Sequence, residues 1–287
     1  MSSGEYTIDE VLKEEIPKKA RAELDHLRSA LQKLQDERRY IAPVRTRGNV
    51  IRFAVISDLQ AGSLYERFDA LQAFYDLLKA EKISNVLIAG DILEGHGIYK
   101  GQEFEIYAHG VQRQLAVLHE KFPHSPDIQH FFITGNHDYS FDKLVDVGIG
   151  KRIEQEMGWK YLGPDQGAVP FKTERGIYRV GLYHPSGGTA YAISYKSQKI
   201  VESLPGGKKP DMLFIGHYHK AEWMPQYRNV ETFQAGCFQS QTPFMARKPT
   251  PAHIGGWIIE VVMGERKGLS ERVKAEFISF FEPGEVA

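Results

Sequence analysis

Five short apolar runs in the chain each end beside a polar side chain that can bind a metal ion. The runs span residues 50–57, 85–89, 130–134, 178–183 and 212–215, and after them come Asp58, Asp91, Asn136 with His137, His184, and His217 with His219. Short apolar runs bounded by glycine and polar residues are typical of buried strands. Ligands of open α/β sheets bind outside the carboxyl ends of the strands. We therefore expect these polar side chains to converge on one rim.

Helical patterns alternate with the apolar runs. In residues 68–81, Leu71, Phe74, Leu77 and Leu78 follow a helical period, and residues 104–121 and 189–204 also favour helices. Residues 256–263 and 273–281 alternate as strands do. Strands that alternate with helices predict a parallel or mixed sheet with helices on its faces.

The first 45 residues differ from the rest of the chain. Leucines at 24, 27, 31 and 34 form a heptad-like stripe, and Pro43 with residues 46–49 has the composition of a linker. The stripe fits either a helix packed on its own domain or a pairing segment that makes a homo-oligomer. We place an N-terminal helical extension and linker at 1–47 and the main domain at 48–287.

Composition excludes several classes of protein. The 287 residues carry a net charge of −1, which argues against a polybasic nucleic-acid coat, and the single cysteine, Cys237, rules out an internal disulfide framework. No apolar stretch approaches the ~20 residues that span a bilayer, and the polar, acidic N-terminus is unlike a signal peptide. The expected location is the cytoplasm, without a membrane partner. Neither a P-loop nor an HExxH motif is present.

The polar residues at the strand ends form a chemically coherent set. An aspartate after a strand is often a turn residue or a cap, and a lone histidine is more often structural than a ligand. Five such endings in succession instead favour a shared site. Carboxylate, amide oxygen and imidazole suit divalent Mn, Fe, Zn or Ni, and a bridging carboxylate can hold two ions ~3.5–4 Å apart for phosphoryl transfer.

The motif series resembles the calcineurin-like metallophosphoesterase superfamily, whose pattern is DxH, GD, GNH[DE], H and GHxH. The matching residues are Asp58-Leu59-Gln60, Gly90-Asp91, Gly135-Asn136-His137-Asp138, His184 and Gly216-His217-Tyr218-His219. The resemblance runs from about residue 51 to 219 and leaves the N-terminal extension uncovered. It implies an α/β fold, a four-layer α-β-β-α sandwich of two mixed sheets.

The resemblance also implies roles for these residues. One metal would be held by Asp58, Gln60, Asp91 and His219, and the other by Asp91, Asn136, His184 and His217, with Asp91 bridging. His137 would stabilise the transition state or protonate the leaving oxygen. Glu94 stands where many members carry a side chain that orients this histidine; the alternative is a solvated loop acid.

Gln60 departs from the family pattern, which has histidine there. Its amide oxygen could ligate weakly and shift preference toward Mn or Mg, or it could leave the first site labile, so that activity needs added metal. A degenerate site in a scaffold protein is the third reading. We expect two divalent ions, Mn first, with Fe, Zn, Ni and Mg as alternatives.

Residues around the motifs bear on the substrate. Protein phosphatases of this superfamily have an arginine after GD, and residues 91–97 have none, which fits a phosphodiester better than a monoester. His96 could line the cleft, and the turn Ser186-Gly187-Gly188-Thr189 either binds phosphate at a helix N-terminus or is a plain turn. Arginines and tyrosines near the motifs could track phosphates or stack bases, or could simply be surface and packing residues. They are Arg38, Arg39, Arg45, Arg47, Arg52, Tyr191, Tyr195 and Tyr218.

The expected function is therefore metal-dependent phosphoester hydrolysis, with phosphodiesterase activity on DNA, RNA or nucleotides favoured. In such a reaction a metal-activated water attacks the phosphoester in line. The alternatives are a phosphomonoesterase of nucleotides or small metabolites and a catalytically silent scaffold, as polymerase accessory subunits of this superfamily are.

Overall fold

The computed structural model describes residues 41–145, 147–188, 190–207, 209–247, 251–266 and 269–280. The expected N-terminal helix with its leucine stripe, Arg38, Arg39 and Thr189 lie outside these residues. The helical extension and the oligomer through it therefore stay predictions. None of the described helices is long and apolar enough to cross a membrane.

Among the described residues, twelve strands form two six-stranded sheets. The strands are β1 (Val44–Arg45), β2 (Val50–Ile56), β3 (Asn85–Ala89), β4 (Gln129–Thr134), β5 (Lys160–Pro164), β6 (Gln166–Thr173), β7 (Gly176–Tyr183), β8 (Met212–Ile215), β9 (Ala221–Tyr227), β10 (Val230–Ala235), β11 (Gly255–Met263) and β12 (Ser270–Ser279). The order of strands is β1-β6-β7-β8-β10-β9 in the first sheet and β12-β11-β2-β3-β4-β5 in the second.

Six α-helices connect the described strands. They are α1 (Phe68–Ala80), α2 (Val111–Lys121), α3 (Asn136–Val145), α4 (Ile149–Met157), α5 (Ile193–Ser203) and α6 (Pro243–Ala246), with a 3-10 turn at Gln102–Phe104. The helix predicted over 104–121 begins later than expected, at Val111. It cannot begin earlier because Gly110, the residue before it, has a left-handed backbone with φ 87°. Similarly, α5 begins at Ile193 rather than at residue 189.

The two sheets pack face to face through a shared apolar core. Phe53 of β2 stacks on Phe171 of β6 with ring centroids 5.2 Å apart, and it meets Phe214 of β8 edge-on. A second core buries Leu71 and Phe74 of α1 against the outer face of the β2 sheet, and a third buries Val201 of α5 against the other sheet. Helix, sheet, sheet and helix are the four layers that the motif series implies, and the predicted fold class is confirmed.

Strand direction determines where the site lies. β2, β3, β4 and β5 run parallel to one another, and so do β7, β8 and β10 in the other sheet. The carboxyl ends of parallel strands open at one edge of a sheet, so the loops that follow them share that edge.

Residues near the predicted domain boundary join the first sheet. Val44 pairs with Phe171, and the Thr46 N–H donates to the Lys172 carbonyl at 3.0 Å. These residues fall within the segment that the sequence suggests as a linker. The division between residues 47 and 48 itself stays a prediction.

Candidate metal centre

The predicted ligands lie together at the carboxyl ends of β2, β3, β4, β7 and β8. The cavity there has a volume of about 330 Å³, and its wall includes most of them. The predicted site residues on this wall are Gln60, Asp91, Asn136, His137, His217 and His219. Asp58 and His184 are buried, and each contacts one of these residues.

Backbone strain is concentrated at this rim. Five of the predicted ligands have a left-handed backbone, which costs a residue other than glycine about 1–2 kcal/mol. They are Asp58 (φ 52°), Gln60 (52°), Asp91 (51°), His217 (77°) and His219 (55°). Such conformations persist where the surrounding structure enforces them, and they cluster at functional sites.

The motif glycines allow three loops to approach one another. A Cβ on Gly90 would lie 2.5 Å from His184 Nδ1, one on Gly135 would collide with the Asp91 carboxylate, and one on Gly216 with the Ala89 carbonyl. A larger residue at any of these positions would push the loops apart. This explains why a glycine stands directly before each of these predicted ligands.

His184 turns its Nε2 toward Asp91. Its Nδ1–H donates to the Ala89 carbonyl at 2.7 Å, so Nε2 is the atom left to carry either a proton or a metal ion. This buried Nε2 lies 3.0 Å from Asp91 Oδ2. Burial lowers the pKa of His184, but the Asp91 carboxylate outweighs it and raises the pKa to about 10. Burial likewise opposes ionisation of Asp91, yet His184 and His137 hold the pKa of that carboxyl below its usual value. The site attracts positive charge between these two residues.

Asn136 and His217 form a second pair of acceptors. His217 Nε2 lies 2.6 Å from the Gly187 carbonyl, and its Nδ1 lies 2.9 Å from Asn136 Oδ1. Burial, and then His184, lower the pKa of His217, so the ring is neutral with its proton on Nε2. Its Nδ1 lone pair then faces an amide oxygen, an arrangement that a cation stabilises.

These contacts test whether the residues fit a divalent ion. Ligand atoms of Asp91, His184 and His217 all lie within 4.8 Å of one another. Backbone carbonyls fix the tautomers of both histidines, as hydrogen bonds commonly do for metal ligands. With Asn136 added, the donors are one carboxylate, one amide oxygen and two imidazoles, and they fit a divalent transition metal.

Asp58 and His219 form another pair of predicted ligands. His219 Nε2 is 3.1 Å from Asp58 Oδ1, and Asp58 Oδ2 accepts from Ser57 Oγ at 2.5 Å and from the His217 backbone N–H at 3.1 Å. Burial disfavours the charged form of His219, but Asp58 outweighs it and raises the pKa of His219 well above its ordinary value. This pair also favours a positive charge between its members.

Gln60 reaches the same cluster. One atom of its terminal amide lies 3.5 Å from Asp91 Oδ2. If the other atom is the nitrogen, it donates to the Leu93 carbonyl at 3.3 Å and to Glu94 Oε2 at 3.2 Å. That orientation gives the amide nitrogen two acceptors and turns the amide oxygen toward Asp91.

His137 is oriented by the backbone of Glu94 rather than by its side chain. His137 Nδ1 lies 2.6 Å from the Glu94 carbonyl oxygen, and Nε2 lies 4.0 Å from Asp91 Oδ2. The Glu94 carboxylate instead accepts from Gln102 Nε2 at 2.8 Å and from Gln239 Nε2 at 3.1 Å. Glu94 is fully buried, which raises its pKa, so the reading as a solvated loop acid is wrong.

The sequence reasoning assigned no role to Asp138, which holds two of the site's loops together. Its carboxylate accepts from the backbone N–H groups of Ile92, Leu93 and Gly135 at 2.8–3.1 Å. Burial, and then the nearby Asp91, raise its pKa to about 7. The GNHD motif could have indicated this role. Its aspartate directly follows Gly135, Asn136 and His137, so its carboxylate is well placed to accept hydrogen bonds from the backbone N–H groups of the loop.

Some of the other residues predicted to bind the substrate line the cavity, and others do not. Gly187, Gly188 and Tyr218 line the cavity, whereas His96, Tyr191 and Tyr195 are exposed and are not among its described lining residues. Because α5 begins only at Ile193, the turn at 186–188 is not the N-terminus of that helix.

Among the described arginines of the suggested basic patch, Arg52 has an acidic partner. It pairs with Glu81 at 2.8 Å, which agrees with the surface interpretation. Arg45 and Arg47 are exposed.

Comparison with known proteins agrees with the motif series. A family model described as calcineurin-like phosphoesterase matches residues 51–221. The DNA polymerase II small subunit of Halobacterium salinarum is 26% identical over 228 residues, which cover 68% of this chain and 45% of that protein. The protein of the same name from Methanothermobacter thermautotrophicus is 24% identical over 233 residues, covering 67% and 48%. The chain thus spans about half the length of these relatives.

Solved structures of Vps29 also resemble the chain. A single mutant from Entamoeba histolytica is 16% identical and covers 80% of this chain and 100% of that one, with a TM-score of 0.36. Vps29 from Chaetomium thermophilum is 13% identical and covers 81% and 98%, with a TM-score of 0.37.

Proposed function

The chain belongs to the calcineurin-like phosphoesterase family, and we propose that it is a phosphoester hydrolase with a dinuclear metal centre and a preference for diesters. The observation that carries the proposal is that the predicted ligands face one another in buried pairs that require a cation, a proton or a metal ion, between them. His184 Nε2 faces Asp91 Oδ2 at 3.0 Å, and His217 Nδ1 faces Asn136 Oδ1 at 2.9 Å. Buried acceptors that face each other are costly unless a cation lies between them.

Two groups of side chains, with Asp91 common to both, would hold the ions. The first group is Asp58, Gln60, Asp91 and His219, and the second is Asp91, Asn136, His184 and His217. When bound, the ions supply Lewis acidity toward the phosphoryl oxygens and a nucleophilic water at neutral pH. The protein's part is to place the phosphoester against this rim and to fix the ligand orientations beforehand.

His137 is the proposed general acid. Because its Nδ1–H is committed to the Glu94 carbonyl, a proton on Nε2 makes the ring an imidazolium. Asp91 Oδ2 lies 4.0 Å from Nε2. His137 also lines the cavity, so Nε2 can give its proton to the departing oxygen.

The cavity wall supports a diester. Among the described residues that line it there is neither lysine nor arginine. A monoester dianion carries one more charge than a diester anion, and the described wall has no such fixed cation to neutralise it.

Hydrolysis of bis-p-nitrophenyl phosphate beside p-nitrophenyl phosphate tests the proposal, with and without added Mn²⁺. We expect Mn²⁺-dependent cleavage with the diester preferred. Preference for the monoester would reassign the protein as a phosphatase, and no cleavage of either compound by folded, Mn²⁺-loaded protein would contradict the enzymatic role.

A second candidate is a scaffold that assembles with a polymerase and DNA, and the names of the relatives favour it. Gln60 in place of histidine is its support in this chain. Metal content separates the two candidates, because a scaffold without a working centre should retain little metal after dialysis, whereas the enzyme should retain about two ions per chain.

A further inference from the structure

The wall of the cavity away from the metal ligands is largely apolar. Its members come from the loop after β3, from the GHxH loop and from α6: Ile98, Tyr99, Tyr218, Phe244 and Met245. Apart from Tyr218, which is buried, these side chains are only half-buried. Their remaining exposed surface therefore adjoins the space where a phosphoester would bind.

Two of these side chains form a rigid aromatic pair. The rings of Tyr99 and Phe244 stack with centroids 4.2 Å apart and planes inclined by 15°. The Tyr99 hydroxyl donates to Glu105 Oε2 at 2.7 Å, and Thr242 caps α6 by accepting from the Met245 N–H at 3.2 Å. Both segments are thus fixed, and a ligand that packs on the pair loses little side-chain entropy to ordering them.

We propose that this wall binds the base of a nucleotide unit whose phosphate lies at the metal ligands. The inference rests on the proposed function, because it assumes that the phosphate binds there. A planar aromatic base can extend the Tyr99–Phe244 stack, and such stacking tolerates every base because each has a π face. The wall carries no lysine or arginine among its described residues, so it suits a neutral ring rather than a second phosphate.

The size of the cavity fits this assignment. Its volume of about 330 Å³ is at the lower end of the range for small-ligand sites, which suits one nucleotide unit rather than a long segment of nucleic acid. The same chemistry is offered by a free nucleotide and by the end of a nucleic-acid strand.

Binding of AMP and of ribose 5-phosphate to the Mn²⁺-loaded full chain, measured by calorimetry, tests the inference. The two compounds share the sugar and the phosphate and differ in the base. We expect AMP to bind roughly tenfold more tightly. Tyr99→Leu and Phe244→Leu should each reduce this ratio several-fold and leave ribose 5-phosphate binding unchanged. Tyr99→Phe is the matched control, since it keeps the ring and removes only the hydroxyl, and it should keep the ratio.

The outcomes separate this inference from the proposed function. Equal binding of the two compounds to the wild-type chain, or an unchanged ratio in both leucine variants, would overturn the base site and leave the metal centre intact. If neither compound binds to folded, Mn²⁺-loaded protein, the phosphate site fails and the inference fails with it. A single-stranded octanucleotide that binds more tightly than AMP would identify a strand end as the source of the base, and equal affinity would identify a free nucleotide.

Discussion

His184 Nε2 lies 3.0 Å from Asp91 Oδ2, while the opposite nitrogen of the same ring is tied to the Ala89 carbonyl at 2.7 Å. The backbone thus turns Nε2 toward the carboxylate, where a proton or a metal ion can lie between the two groups. Gly90 makes this contact sterically accessible, because a Cβ there would lie 2.5 Å from His184 Nδ1. The site is therefore arranged for a cation by the strand-end loops themselves.

Asp91→Asn should remove metal from both proposed groups of ligands, because only Asp91 belongs to both. We expect the wild-type chain to retain about two Mn²⁺ ions after dialysis and the variant fewer than one, as measured by mass spectrometry of the metal. Asp76→Asn, a change on the exposed side of α1, is the control. A full metal content in the Asp91 variant would rule out the bridge.

His137→Ala should lower kcat for a diester by roughly 10²–10⁴, the usual contribution of a general acid, without loss of metal. Alanine keeps the backbone N–H that donates to Asp91 Oδ1 at 2.9 Å, so the bridge is undisturbed. His96→Ala, at an exposed histidine of the neighbouring loop, should turn over at the wild-type rate. Unchanged turnover in the His137 variant would rule out His137 as the general acid.

Gln60→His should raise the affinity for Zn²⁺ relative to Mn²⁺, because imidazole is a softer donor than an amide oxygen. We expect this affinity ratio to change on the order of tenfold. Mutation of residues that only hydrogen-bond to a metal ligand can already change metal affinity by that much. Competition with a metal-sensitive dye measures this ratio without reference to activity. Gln72→His on α1 controls for adding a histidine elsewhere, and equal ratios in the two variants would show that residue 60 does not contact the metal.

His130 should make folding sensitive to acid. Burial lowers its pKa from 6.5 to about 4, and its Nε2 lies 2.8 Å from the Tyr75 hydroxyl. The unfolded chain binds the proton first, so this contribution is complete above pH 6.5 and is lost as the pH falls toward 4. The loss amounts to about 3 kcal/mol.

Urea unfolding of the wild-type chain and of His130→Gln between pH 7 and pH 4 checks this expectation. The variant keeps a polar partner for Tyr75 but cannot take up the proton. Its free energy of unfolding should therefore fall less steeply with acid than that of the wild type, and parallel curves would show that His130 does not titrate as expected.

Strands with uniform apolar character were predictable from the sequence. β3 and β8 have the predicted bounds, and the strand ends converge as their polar residues suggested. β10 was missed, although it is fully buried, because it contains Glu231, Thr232 and Gln234. Gln234 Nε2 is satisfied by Glu222 at 2.7 Å and by Ser197 at 3.1 Å, and such partners, distant in sequence, leave no periodic signal.

Three further strands, β5, β6 and β9, were not predicted from the sequence, for other reasons. β5 and β6 lie in different sheets and are separated only by Asp165, with φ 55°. Their glycines and prolines have the composition of a loop. The exposed edge strand β9 contains Pro225, which is tolerated there because an edge strand has unpaired N–H positions.

In the candidate site, too, features set by local sequence were predictable and features set by residues distant in sequence were not. The motifs predicted which residues meet, since each follows its own strand. That the Glu94 carbonyl rather than its carboxylate contacts His137 depends on Gln102 and Gln239, which hold the side chain elsewhere. The pairing of Tyr99 with Phe244 joins a loop to a short helix far away in sequence and could be found only in three dimensions.

The most direct test of the dinuclear centre is anomalous diffraction at the manganese edge from crystals of the full chain soaked in Mn²⁺. A dinuclear centre should give two peaks about 3.5–4 Å apart, one on each side of the Asp91 carboxylate. The first should lie among Asp58, Gln60 and His219, and the second among Asn136, His184 and His217. A single peak, or peaks that do not touch Asp91, would contradict it.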